Sequence, residues 1–267
     1  MAVVTLDAGH GGYDNGASYQ GRREKDDNLN LALAVGNILQ NRGVDVRYTR
    51  MEDIYQTPQR KAAIANENGS DLFISFHRNS SSSPNQYSGV QTLVYADSGL
   101  RRLLAQNIND ELEKTGFTNL GISVRKDLPV IRDSDMPAGL VEVGFINTER
   151  DNTLFDSKFP EIAEAIAEGI IQTLEETGNR VEATEEEKGF YSIETGMFSH
   201  EENARSLALL MQEDGFDCFI DRRGDYYVVC QGEYSSVDEV RNAERILYES
   251  GYETRITPFF AKNNKNS

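Results

Sequence analysis

Short apolar strands alternate with amphipathic helices through the first ~175 residues, and no other feature restricts the fold as much. "VVTLDA" reads as a buried strand, and "DNLNLALAVGNILQNRG" as a helix closed by Gly43. "VDVRYTR" alternates as a strand. The next helix, "TPQRKAAIANENG", opens with Thr57 as N-cap and Pro58 at the first helical position. The strands "DLFISFH" and "GVQTLVYA" follow, then the helix "GLRRLLAQNINDELEKTG". A strand-like "LPVIR" and the apolar "GLVEVGF" precede a long amphipathic helix predicted over about Phe159–Glu176. Strands separated by helices predict an α/β domain, a mostly parallel mixed sheet flanked by helices.

Beyond that helix, "EETGNRVEATEEEKG" holds many Glu and few apolar residues, too few to bury a core, and reads as a linker. An internal repeat follows. "FYSIETGMFSHEENARSLALLMQEDGFDCFI" aligns with "YYVVCQGEYSSVDEVRNAERILYESGYETRI" at an offset of 36, which places Gly196 on Gly232 and Phe198 on Tyr234. Each copy reads strand, helix, strand. The unit is therefore a small α+β, ferredoxin-like βαββαβ domain with one four-stranded antiparallel sheet and two helices on one face. The expected organisation is a large domain at 1–177, an acidic linker at 178–188, the repeat domain at 189–260 and a disordered tail at 261–267.

Net charge is −17, from 44 acidic and 27 basic residues, which disfavours a nucleic-acid partner and favours solubility. No run is long enough for a membrane span, so no membrane insertion is expected. The start, "MAVVTLDAGH", lacks the basic head and apolar stretch of an export signal, so cytoplasmic synthesis is expected, with action elsewhere following release. Two cysteines, Cys218 and Cys230, make no disulfide framework. A hairpin around "DRRGD" would set them opposite each other, within reach of a disulfide, although a reducing compartment favours thiols.

Two of the three histidines end strands: His10 in "GHGG" and His77 in "DLFISFHRN". Carboxyl ends of parallel strands face one crevice, so the two can converge. The glycines around His10 do not form a nucleotide fingerprint: the pattern is G-H-G-G, and no P-loop lysine follows. They fit a tight turn that lets backbone crowd a site. Glu24 lies in the charge run "GRREKDDNL", and Glu142 interrupts an apolar strand, where a carboxylate needs a partner or a mouth. Two imidazoles and one carboxylate make a three-ligand zinc set, and a further carboxylate can serve as general base. The same residues also fit hydrogen-bonded structural histidines, a solvated helix start at Glu24 and a buried ion pair at Glu142.

Taken in order, "LDAGHGGYDNGA", "REKDDNLNLALAV", "RKAAIANENGSDLFISFHRN", "GVQTLVY" and "MPAGLVEVGFINTERDNTLF" resemble the zinc-dependent N-acetylmuramoyl-L-alanine amidases, from about Val3 to Leu174. The resemblance implies Zn2+ held by His10, Glu24 and His77, with Glu142 as the catalytic carboxylate. It also implies cleavage of the amide between the lactyl group of N-acetylmuramic acid and L-alanine of the stem peptide. Asp7, just before the glycine turn, is a candidate partner behind the ligands or a residue placed by turn geometry. After His77 that family usually has a small residue. Here Arg78 and Asn79 follow, and both are candidate substrate contacts, with "NSSSSPNQ" as a flexible rim or a plain connector.

The repeat domain resembles a SPOR domain over about Phe190–Thr257, with "TGMFSHEENA" its most recognisable part. That implies binding to peptidoglycan glycan strands on the open sheet face, with Phe198, Ser199, Tyr226 and Tyr234 as candidate contacts. The whole chain thus resembles a phage endolysin, released through a holin, or a mother-cell lysis amidase of a spore former, with the endolysin the first expectation. Two alternatives are another wall hydrolase, endopeptidase or glycosidase, and a non-catalytic peptidoglycan-binding protein.

Overall fold

A computed structural model describes residues 2–178, 191–223, 226–234 and 237–258. The expected tail, and all of the expected linker except Gly178, lie outside them. The chain divides into two compact units, 1–184 and 185–267.

The first unit runs β1 (Val3–Ala8), β2 (Ser18–Tyr19), β3 (Arg22–Arg23), α1 (Glu24–Asn41), β4 (Asp45–Tyr48), α2 (Pro58–Glu67), β5 (Leu72–Asn79) and β6 (Val90–Val94). It continues through α3 (Gly99–Lys114), β7 (Asn119–Val124), α4 (Pro129–Arg132), β8 (Ala138–Phe145), α5 (Glu149–Ser157) and α6 (Phe159–Glu176). Six strands form one sheet in the order β4-β1-β5-β8-β6-β7. Only the β6–β8 pairing is antiparallel; the other four are parallel. The expected mostly parallel mixed sheet is therefore what forms.

Both sheet faces are covered, which is why its central strands read as continuous apolar runs. In β5, Ile74 and Phe76 enter the larger core with Leu31 and Val35 of α1 and Ile166 of α6. Phe73, one step out of phase, faces the other way with Ala65 of α2 and Ile131 of α4. Thr57 caps α2 as expected, its side chain accepting from the Arg60 N–H at 3.1 Å, with Pro58 in the first turn.

One element differs from expectation. "LPVIR" is not a strand but the short helix α4, because Pro129 fits a first helical turn and ladders poorly. The strand is instead β7, which pairs with β6 at the sheet edge. Its Leu120 and Val124 are exposed and Gly121 interrupts it, so its apolar pattern is faint.

The second unit comprises β9 (Tyr191–Phe198), α7 (Glu201–Glu213), β10 (Cys218–Arg223), β11 (Tyr226–Tyr234), α8 (Val237–Glu249) and β12 (Arg255–Pro258). Its sheet order is β10-β11-β9-β12, antiparallel throughout. That is the expected βαββαβ arrangement. The cysteine expectation is off by one residue: Cys218 pairs with Gln231, and Cys230 with Phe219. Neighbouring strand residues point to opposite faces, so this shift separates the two sulfurs, and both are free thiols. Among the described residues, no helix is long and apolar enough to cross a membrane.

Candidate metal centre

Three elements deliver the expected residues to one place. His10 follows the end of β1, His77 lies near the end of the parallel neighbour β5, and Glu24 is the first residue of α1. One ligand atom from each lies within 4.8 Å of the other two. Glu24 Oε1 is 3.1 Å from His10 Nε2 and 2.9 Å from His77 Nδ1. The imidazole rings meet edge to face, centroids 5.0 Å apart. Two imidazole nitrogens and one carboxylate oxygen converging on a point are a donor set for a transition-metal ion.

Glycines make the convergence possible. A Cβ on Gly9 would lie 2.4 Å from the His77 ring. On Gly16, whose φ is +65°, it would lie 2.5 Å from Glu24 Oε2 and 2.6 Å from the His10 ring. His10 itself is left-handed, at φ +61°. Buried cations hold this strained turn by its carbonyls. Arg50 donates to Ala8 O and Gly9 O at 3.0 Å each. Lys61 Nζ donates to Ala8 O at 2.5 Å, and Lys25 Nζ to Gly12 O at 2.7 Å.

Behind His10 stands Asp14, whose Oδ2 is 2.9 Å from Nδ1, leaving Nε2 directed at Glu24. Such a carboxylate fixes ring orientation in a metal-bound histidine. Asp7 does not take that role. Fully buried, it is paired with Lys61 Nζ at 2.8 Å and accepts from Thr49 and Ser75 hydroxyls at 2.6 Å each. Asp7 thus anchors the lysine that holds the turn. Neither Asp14 nor the three cations came from the sequence reading. Asp14, four residues after His10 within the glycine turn, left a signal; Arg50, Lys25 and Lys61 look like ordinary surface charges until the fold buries them.

Electrostatics follow from the crowding. Burial opposes the charge on His10, but Glu24 and Asp14 together outweigh it and raise the imidazole to about 9. Burial likewise opposes ionisation of Glu24, yet the two histidines hold its carboxyl well below the usual range. Glu142 pairs in register with His77 across β5 and β8. Burial pushes its carboxyl up to about 7, and its buried Oε2 has no hydrogen-bond partner. An orphaned carboxylate oxygen next to the donor set is placed for a water or substrate group, and it excludes the ion-pair alternative for that atom.

Arg78 is not a substrate contact. It follows His77 on a strand, so it points to the opposite face, where its guanidinium is fully buried. There Nη1 donates to Asp27 at 2.5 Å, Nη2 donates to Asn152 at 2.8 Å, and the group stacks 4.1 Å from the Phe155 ring centroid. Asn79 is half-buried, its Oδ1 accepting from Ser80 N–H at 2.8 Å. The adjoining loop is tied down: Asn147 donates to Ser81 O at 2.8 Å, and Asn85 N–H donates to Asn147 O at 3.0 Å.

In the second unit, Phe198 and Tyr234 pack against the core rather than on an open face. Each lies over the glycine of its own repeat, Gly196 or Gly232, and the small core needs their area. Ser199 and Tyr226 are exposed.

The family model for N-acetylmuramoyl-L-alanine amidase matches residues 4–172. The chain is 33% identical to a sporulation-specific N-acetylmuramoyl-L-alanine amidase of Bacillus subtilis over 225 residues, 82% of this chain and 84% of that protein. It is 36% identical over 179 residues to an endolysin of Bacillus phage SPP1, 64% of this chain and 66% of the endolysin. Among solved structures, the catalytic domain of CwlV, an amidase from Bacillus (Paenibacillus) polymyxa, superposes with a TM-score of 0.61 at 35% identity. That match covers 66% of this chain and 99% of CwlV's domain. An amidase from Clostridium difficile 630 gives 0.62 at 30% identity, covering 65% and 97%.

Proposed function

We propose, from the premise that this chain belongs to the N-acetylmuramoyl-L-alanine amidase family, a zinc-dependent mechanism built on four side chains. The chain is a peptidoglycan amidase that hydrolyses the bond between N-acetylmuramic acid and L-alanine. His10, Glu24 and His77 hold the zinc ion, and Glu142 is the base. The observation that carries this is the convergence of three donor atoms within 4.8 Å, beside a carboxylate with an unpartnered oxygen.

A bound zinc supplies Lewis acidity, for the scissile carbonyl and for the acidity of a water. Glu142 accepts the proton of the attacking water and returns it to the alanine nitrogen as the C–N bond breaks. Burial, which raises the Glu142 carboxyl, makes it a stronger proton acceptor than an exposed glutamate. Asp14 keeps His10 Nε2 turned toward the ion, while Arg50, Lys25 and Lys61 keep the turn from relaxing.

The βαββαβ unit is proposed to bind glycan strands as a SPOR-like module, with Ser199 and Tyr226 as contacts. Support comes from its strand order and the exposure of both residues. Of the two settings, mother-cell lysis is favoured over a holin-released endolysin. The alignment with the sporulation amidase, at 225 residues, is longer than the first unit, and that with the phage endolysin is 179.

Clearing of purified walls, followed by turbidity with and without chelator, tests the assignment. Zinc should restore activity, and new alanine α-amino groups should appear without new reducing sugars. New reducing ends, or lysis indifferent to chelation, would overturn it.

A further inference from the structure

Tyr13 is 80% exposed, more than any other large hydrophobic side chain among the described residues, yet it is held in place. It sits in the tight turn closed by Gly11 N–H to Asp14 O at 2.9 Å and Asp14 N–H to Gly11 O at 3.1 Å. Gly12 N–H is fixed by Asp53 at 2.7 Å, and Gly12 O by Lys25 at 2.7 Å. The Tyr13 ring leans on Tyr55, centroids 4.2 Å apart and planes 32° from parallel. Met51 and Ile54, in the segment leading to Tyr55, are also exposed. Aromatic surface left in water and immobilised beforehand suits binding, because little freedom remains to be lost.

Location and charge identify the occupant. Tyr13 lies three residues from His10 and adjoins Asp14, which orients that ligand. Whatever stacks on it therefore lies close to the amide being cut. Asp14 and Asp53, the carboxylates tied to this turn, are already paired with His10 and Lys25, so neither cation is free to meet a stem-peptide carboxylate there. A neutral pyranose suits it better, because its C–H face can lie on the rings. We infer that Tyr13 and Tyr55 form a stacking subsite for the neutral N-acetylated sugar next to the scissile muramic acid. This rests on the amidase reading.

The experiment uses the full zinc-loaded chain and two soluble substrates. One is a glycan–peptide fragment several disaccharides long; the other is a single muramoyl peptide without the neighbouring sugar. Tyr13→Ala and Tyr55→Ala should each raise KM on the longer substrate roughly five- to tenfold with kcat unchanged, and leave the single-sugar substrate unaffected. Tyr13→Phe should remain close to wild type. An unchanged KM on the long substrate overturns the subsite. So does an equal rise on both substrates, or loss of zinc from the Tyr13→Ala protein, since either marks a damaged turn. Nitration of Tyr13, followed by mass spectrometry, gives a readout independent of turnover. Chitotetraose should protect Tyr13, and absence of protection counts against the proposal. If the wild type releases no alanine amino groups from either substrate, the amidase reading itself fails, a result distinct from all of these.

Discussion

His77 and Glu142 are register partners on adjacent parallel strands, so the end of one strand pair presents both a candidate ligand and a candidate base. Residues side by side in register point to the same face. Their separation is therefore set by the strand pairing, which keeps the candidate base beside the candidate ligand. On the other flank of His77, β1 brings the glycine turn of His10.

Glu142→Gln should preserve that geometry while removing the base. Wall clearing should fall by roughly 10²–10⁴-fold, with zinc content unchanged. Atomic absorption on the purified variant, alongside turbidity, separates this from loss of the ion. Near-normal clearing would mean that another group takes the proton.

Asp14→Asn keeps an acceptor near His10 Nδ1 but withdraws the charge that fixes the ring. Zinc affinity should drop roughly 10–100-fold, as measured by competition with a chromogenic chelator. Activity should recover at saturating zinc. Unaltered affinity would show that the turn alone orients His10.

Gly16→Ala tests whether the glycine turn is shaped by its neighbours. The added methyl would meet Glu24 Oε2 at 2.5 Å, on a backbone at φ +65° that alanine adopts poorly. Both strains displace Glu24, so the variant should fold but purify with little zinc. Full zinc occupancy would show that Glu24 has room to move.

Arg78→Ala should act on stability and not on substrate choice. It strips a buried partner from Asp27, which then retains Arg22 at 2.6 Å, and leaves a cavity beside Phe155. Because Asp27 keeps Arg22, the cost is that of a lost buried partner and lost packing, about 1–3 kcal/mol, readable as a lower urea midpoint. The ratio of rates on walls with different stem peptides should stay constant. A changed ratio with unchanged stability would reinstate Arg78 at the substrate.

Legibility in the sequence followed the physics of each part. The sheet was readable because strands buried on both faces carry long apolar runs, and β7 was missed because an edge strand with Leu120 and Val124 in water does not. His10, His77 and Glu142 stood out because polar groups at apolar strand ends demand an explanation. Arg78 misled because a charge after a ligand looks like a substrate contact, and only strand alternation against Asp27 and Phe155 reveals its burial. Arg50 was invisible for a related reason: its partners are backbone carbonyls, which every residue has, and Lys61 adds to such a carbonyl a carboxylate, Asp7, 54 positions away. The one-residue error at Cys218 and Cys230 shows that hairpin register depends on where the turn closes, a matter of a single residue.

Glu142 also makes the metal-free protein pH-sensitive in a direction opposite to ordinary acid denaturation. Its folded carboxyl titrates near 7 against an ordinary value of 4.5, so between those pH values the folded state binds more protons than the unfolded chain. Stability then falls as pH rises through that window, by about 3 kcal/mol once Glu142 is fully ionised. His10, raised to about 9, contributes stability that is complete below its ordinary value of 6.5 and is lost as pH rises from there through 9. Glu24, held low, contributes stability above its ordinary value that is lost only in acid. Those two are common to the wild type and Glu142→Gln, so to first order the difference between the proteins isolates Glu142. In chelator, urea unfolding should give similar stabilities near pH 4.5 and an advantage for the variant that grows to about 3 kcal/mol by pH 8. Parallel stability curves would mean that the Glu142 carboxylate finds solvent or a partner in the metal-free state, and that its pKa is not raised by burial.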